Sequence, residues 1–194
     1  MAYIGLKYAV FAPITTETKG QPITYGKGIV LGRMIQATIN FTRNSDVLFA
    51  DDVTAESDNS ITGGTVNLNV DDIEEAAQVE ALGVVKSGET GKEVYHETDT
   101  PAPYGGIGYL RVREKNKVKS YIPYWLHKTQ LAVNSETANT KGNNIQWQTP
   151  TAEGQIMGVE IANDGITYFR DHKVFATEAE AITWLNTMAN ITEA

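Results

Sequence analysis

The sequence predicts a mainly β fold of the α+β class. Period-two alternation dominates the chain, turn residues punctuate it, and only two stretches carry helical spacing. The first strand signal runs from Tyr3 to Ile14, rich in aromatic and β-branched residues and closed by Pro13. Turn material follows at Lys19, Gly20, Gln21, Pro22 and Gly26. Ile29 to Phe41 resumes the pattern, with Ile35, Ala37, Ile39 and Phe41 on one face and Gln36, Thr38 and Asn40 on the other. The clearest alternation is Gly63 to Val70, where Val66, Leu68 and Val70 interleave with Thr65, Asn67 and Asn69.

Between those strands, Asn44 to Thr62 is expected to be a long functional loop. It contains Val47-Leu48-Phe49-Ala50, then Asp51-Asp52 and the polar run Glu56 to Ser60. Asp71 with Glu74 reads as a capping box for a helix over Ile73 to Leu82, stopped by Gly83. Thr177 with Glu180 repeats that signal, and Ile182, Leu185, Met188 and Ala189 recur at helical spacing beside Trp184. Three hairpins are expected. One lies within Val84 to Thr98 around Ser87–Gly91, one within Ile107 to Val133 turning near Asn116, and one turns at Asn163-Asp164-Gly165.

Residues 1–194 are expected to form a single domain with a real hydrophobic core. Sixteen Lys and Arg against twenty-four Asp and Glu leave a net charge of -8, which argues against a general binder of phosphate backbones. With no cysteine, disulfides, zinc-thiolate sites and cysteine nucleophiles are excluded. No secretion signal is evident at Met1 to Val10, and no apolar run is long enough to span a membrane, so synthesis in a cytoplasm is expected.

Catalytic and cofactor signatures are lacking, and the expected set of catalytic, cofactor and metal residues is none. His96, His127 and His172 lack a second ligand nearby in sequence and read as surface or rim residues. Asp52, Thr54, Glu56 and Asp58 imitate a calcium loop, but Ser57 and Gly63 occupy its two key positions. Gly91-Lys92 is a fragment of a phosphate loop with Lys86 and Glu93 at disqualifying positions. Gly105-Gly106-Ile107-Gly108 ends on Arg111 where a dinucleotide fingerprint needs glycine, so its glycines point to close backbone contact or a bulge. Arg111, Arg113, Lys115, Lys117 and Lys119 place a base at every second position. This strip is read as a solvated hairpin or a subunit contact in preference to a nucleic-acid site.

An ordered set of features resembles the major tail proteins of siphophages and prophages of Gram-positive bacteria. It comprises Ile4-Gly5-Leu6-Lys7-Tyr8-Ala9, Leu48-Phe49-Ala50-Asp51-Asp52 with an acidic loop after it, and Gly63 through Asp72. The helix ending Leu82-Gly83 follows, then Pro103-Tyr104-Gly105-Gly106-Ile107-Gly108-Tyr109 and a basic strand pair leading to Tyr124. Thr140-Lys141-Gly142-Asn143-Asn144-Ile145-Gln146-Trp147, then Thr149-Pro150 and Gly154, complete the series.

The resemblance implies a tail-tube β-sandwich or barrel without a C-terminal immunoglobulin-like domain. It also implies hexameric rings stacked into a tube that conducts DNA during genome ejection. The implied partners are other copies of the chain, together with tape measure, tail terminator and distal tail proteins, with DNA only as passing cargo. The implied location is the virion tail. A tube subunit of a phage-derived bacteriocin is a close variant of this reading. The alternative from another class is a β-sandwich carbohydrate-binding module using Trp125 and Trp147 as stacking platforms, and a hydrolase stands third.

Overall fold

The computed structural model describes residues 2–133, 139–140 and 148–192. Its frame is a nine-stranded antiparallel sheet ordered β2-β1-β10-β11-β12-β7-β4, with β13 on β11 and β3 on β1. The first seven strands are β1 (Ala2–Thr16), β2 (Thr24–Tyr25), β3 (Ile29–Gly32), β4 (Met34–Arg43), β5 (Val47–Ala50), β6 (Val53–Ser57) and β7 (Ile61–Val70). Helix α1 (Glu75–Leu82) and the short strands β8 (Val85–Ser87) and β9 (Val94–His96) come next. The long hairpin β10 (Tyr104–Lys115) and β11 (Val118–Ala132) leads to β12 (Thr151–Met157), β13 (Arg170–His172) and α2 (Glu178–Met188).

The sheet closes on itself at Arg33. On one side of that residue β3 bonds to β1, with Phe11 opposite Ile29; on the other, β4 bonds to β7, with Ala37 opposite Leu68. A nearly continuous strand thus changes partners and joins the two ends of the sheet, removing edges that would otherwise invite aggregation. Gly32 makes the corner. Its φ is +145°, and a side chain there would strike the Asp72 carbonyl. Only glycine fits.

Closure gives the central strands two buried faces. Ala9, Phe11, Val66, Leu68, Ile107 and Leu126 fill the inside, together with Ala77 and Ala81 from α1. Val10, Ala12, Leu110 and Trp125 face outward and are covered by Ala181 and Leu185 of α2 and by Ala189, which caps its C-terminus. Gly105 lies against the Phe11 ring and Gly106 against Trp125, so the glycine run serves close packing as expected. A register shift between Gly105 and Ile107 supplies the bulge as well.

Helix α2 is where the sequence placed it, whereas α1 starts at Glu75 and not at Ile73, and its capping differs. Thr177 caps α2: its side chain accepts from the Glu180 N–H, while its hydroxyl donates to the Glu180 carboxylate at 2.7 Å. Asp71 does not cap α1. Its Oδ1 instead accepts from the Arg33 N–H at 2.8 Å, bracing the strand corner, and Glu74 occupies the cap position without a side-chain bond. Gly83 ends α1 in the left-handed region at φ 76°, as expected.

Four other expectations change. β1 continues through Pro13 to Thr16, because Pro13 lies where β1 passes from its β10 pairing towards its short pairing with β2. Ile35 leaves the face of Ala37, Ile39 and Phe41, because a register shift between Met34 and Gln36 turns it outward, 53% exposed. Asn44 to Thr62 is not an irregular loop but is built around the hairpin β5–β6. The Asn163-Asp164-Gly165 turn is present, yet its flanks meet only through the Val159–Tyr168 bridge. The hairpins β8–β9 and β10–β11 form as expected, the latter turning at Asn116 and Lys117.

Candidate assembly surface

Two features stand out, an apolar arm and a cationic mouth. The arm is β5–β6, whose residues are all exposed. Leu48 is 59% exposed, Phe49 66% and Val53 63%. The hairpin forms because two β-rich runs, Val47–Ala50 and Val53–Ser57, flank a tight turn at Asp51 and Asp52. Both aspartates adopt left-handed backbone, with φ of 51° and 62°. Such a turn favours glycine at its second position, so an Asp-Asp tip is strained and also concentrates like charge. At the base of the arm, Asn44 donates to Asp46 and Asp58, and Asp58 also accepts from the Ser60 N–H. These bonds, led by the one from Asn44, hold the Asp58 carboxyl below its ordinary range.

The mouth is a concavity of 580 Å³ beside β1, β4 and β10, lined by Tyr3, Leu6, Ile35, Tyr109, Arg111 and Arg170 among others. Arg111 stacks over the Tyr3 ring at 3.6 Å from its centroid, and Arg170 lies over Tyr124 at 4.8 Å and Phe41 at 5.0 Å. Tyr109 and Tyr124 stack at 5.3 Å, and the Tyr3 and Tyr124 hydroxyls meet at 3.3 Å. Burial raises both buried phenols, Tyr124 to about 12, so they remain neutral hydrogen-bonding groups beside the arginines. None of the ion pairs among the described residues includes Arg111 or Arg170.

The basic strip therefore divides. Arg111 turns into the mouth, Lys119 pairs across the hairpin with Glu114, and Lys117 belongs to the turn. Arg170, set by β13 opposite Leu126, is the member that the sequence reading missed. Its neighbours in sequence carry no periodic signal; only strand pairing brings it to Tyr124.

The histidines are separate. His96 Nε2 lies 2.7 Å from the Ser87 hydroxyl, and His172 stacks on Tyr124. His127 is buried at 3% exposure, contrary to the surface or rim reading, because β11 is covered on both faces. Its Nε2 sits 3.2 Å from Asp171 Oδ2 without hydrogen-bond geometry.

No cluster of three or more His, Cys, Asp or Glu that could hold a metal occurs among the described residues. No helix among them is long and apolar enough to cross a membrane. Trp125 is fully buried, so it offers no platform for a sugar; Trp147 and its neighbours Lys141 to Gln146 lie outside the described residues. Neither protein-family comparison nor a search of curated proteins finds a match to the chain.

Proposed function

We propose that the chain is a structural subunit of a bacteriophage tail tube, self-assembling into stacked hexameric rings that conduct DNA. A tube subunit of a phage-derived bacteriocin is the same physical role in another particle. The observation that carries this reading is the β5–β6 arm, an apolar hairpin held clear of the body with every residue exposed. Exposed apolar side chains on strands with unpaired edges are costly to maintain in an isolated protein and are suited to burial against a partner. A subunit that repeats around a ring meets the same neighbour each time, so one arm per copy would complete every contact.

The charge supports the same reading. A net charge of -8 disfavours a DNA-gripping surface, as a conduit for DNA requires. The ordered sequence resemblance to tail-tube proteins adds to it. Negative-stain microscopy of the purified chain is the test. Rings or tubes are expected, and dispersed monomers at every concentration and ionic strength overturn the proposal.

A further inference from the structure

We propose that the acidic tip of the β5–β6 arm of one copy seats in the arginine-bearing mouth of a second copy. The inference deepens the reading of the chain as a self-assembling subunit and rests on it.

Three properties of the mouth select the occupant. Arg111 and Arg170 both face the Tyr124 ring, at 5.9 and 4.8 Å from its centroid, so one small occupant can reach both. Neither is in any ion pair among the described residues, and no acidic residue lines the concavity. Guanidinium groups held against aromatic rings are partly desolvated, keep their charge, and present a planar fork to carboxylates. The nearest acid in sequence, Asp171, is directed instead to His127. The rest of the lining is uncharged: Leu6, Ile35, Tyr3 and Tyr109, with Gln36 and Thr38 as its neutral polar members.

The arm has the complementary chemistry in the matching order. Asp51 and Asp52 form its tip, and Phe49, Ala50 and Val53 flank them, all exposed. Two adjacent carboxylates on left-handed backbone, where glycine would be easier, make a locally unfavourable tip. Neutralisation by two arginines offsets that repulsion in the assembly, while Phe49 and Val53 are buried against the tyrosines. Each copy offers one tip and one mouth. The contact is head-to-tail, the kind that closes into rings or propagates.

The chain contains no cysteine, so an engineered pair can be read without ambiguity. Ala50→Cys sits beside the tip and Ile35→Cys at the rim of the mouth, and both positions are exposed. Chains bearing one substitution each, with tags of different length, are mixed, allowed to assemble and oxidised. A disulfide-linked heterodimer is expected, and it is expected to be lost when the Ile35→Cys chain also carries Arg111→Gln and Arg170→Gln.

Rings or tubes without the heterodimer overturn the seating but leave the tube reading intact. The heterodimer without rings or tubes supports the seating and sinks the tube reading. Neither product overturns both. Circular dichroism and melting of the double-arginine variant check that it folds. Cross-linking that persists in a folded variant removes the arginines from the contact and overturns the proposal. An arginine-dependent rise in melting temperature with inorganic phosphate, without cross-linking, assigns the mouth to a free anion and also overturns it.

Discussion

The indole N–H of Trp125 donates to the Tyr25 hydroxyl at 3.2 Å, with the two rings edge to face and their centroids 5.1 Å apart. The Tyr25 hydroxyl in turn donates to the His127 carbonyl at 2.8 Å. One phenol thereby ties the short β2 to two positions of β11, and the bond it donates to the His127 carbonyl exists only while it is protonated.

Burial raises Tyr25 to about 12, from an ordinary 10.0. The neutral phenol is favoured in the folded state, so its contribution is fully present below pH 10 and is lost as pH rises from 10 to 12. Two units correspond to roughly 2–3 kcal/mol. Melting temperature measured from pH 9 upward is expected to fall more steeply for the wild type than for Tyr25→Phe. Parallel slopes for the two proteins would remove Tyr25 from the alkaline transition.

Leu185 is fully buried between α2 and the outer face of β1, β10 and β11. Leu185→Ala is expected to destabilise the protein by about 2–5 kcal/mol, because the α2 backbone is held at both ends and cannot collapse fully onto the gap. Glu178 at the start of α2 pairs with Lys7 of β1 at 2.9 Å, and Asn186 near its end accepts from the Tyr8 hydroxyl of β1 at 2.7 Å. Chemical denaturation gives the value; a loss under about 1 kcal/mol would show that the helix is not anchored there.

The arm separates folding from assembly. Leu48→Ser with Phe49→Ser is expected to change monomer stability by no more than about 0.5 kcal/mol per site, because both side chains are exposed. Rings and tubes are expected to disappear from the same preparation. Unimpaired tubes from the double variant would take the arm out of the assembly contact.

The basic hairpin is expected not to grip DNA. The chain carries a net charge of -8, and Arg111 turns into the mouth while Lys119 lies opposite Glu114, so the cations of the hairpin do not line up as one phosphate track. A DNA titration at two ionic strengths is expected to show no strong binding. Tight binding that weakens steeply with salt, and that disappears in Arg113→Glu with Lys117→Glu, would reverse this reading.

Local chemistry determined much of this protein. Alternation at Val66, Leu68 and Val70, the left-handed stop at Gly83, and the Thr177–Glu180 cap are short-range facts, and each is found where the sequence puts it. The turn at Asn116 and the packing role of Gly105 and Gly106 were legible for the same reason. The remainder was decided by long-range pairing. Asp71 reads as a cap until the strand corner brings the Arg33 N–H to it at 2.8 Å. His127 reads as a surface residue until α2 and the inner core cover both faces of β11. Arg170 is unremarkable in sequence, and Tyr124 lies far from it along the chain. Sheet closure at Arg33 and the pairing of β13 with β11 bring Arg170, Arg111 and the tyrosines to one mouth. Periodicity specifies which face of a strand is buried; only the register between distant strands specifies what that face meets.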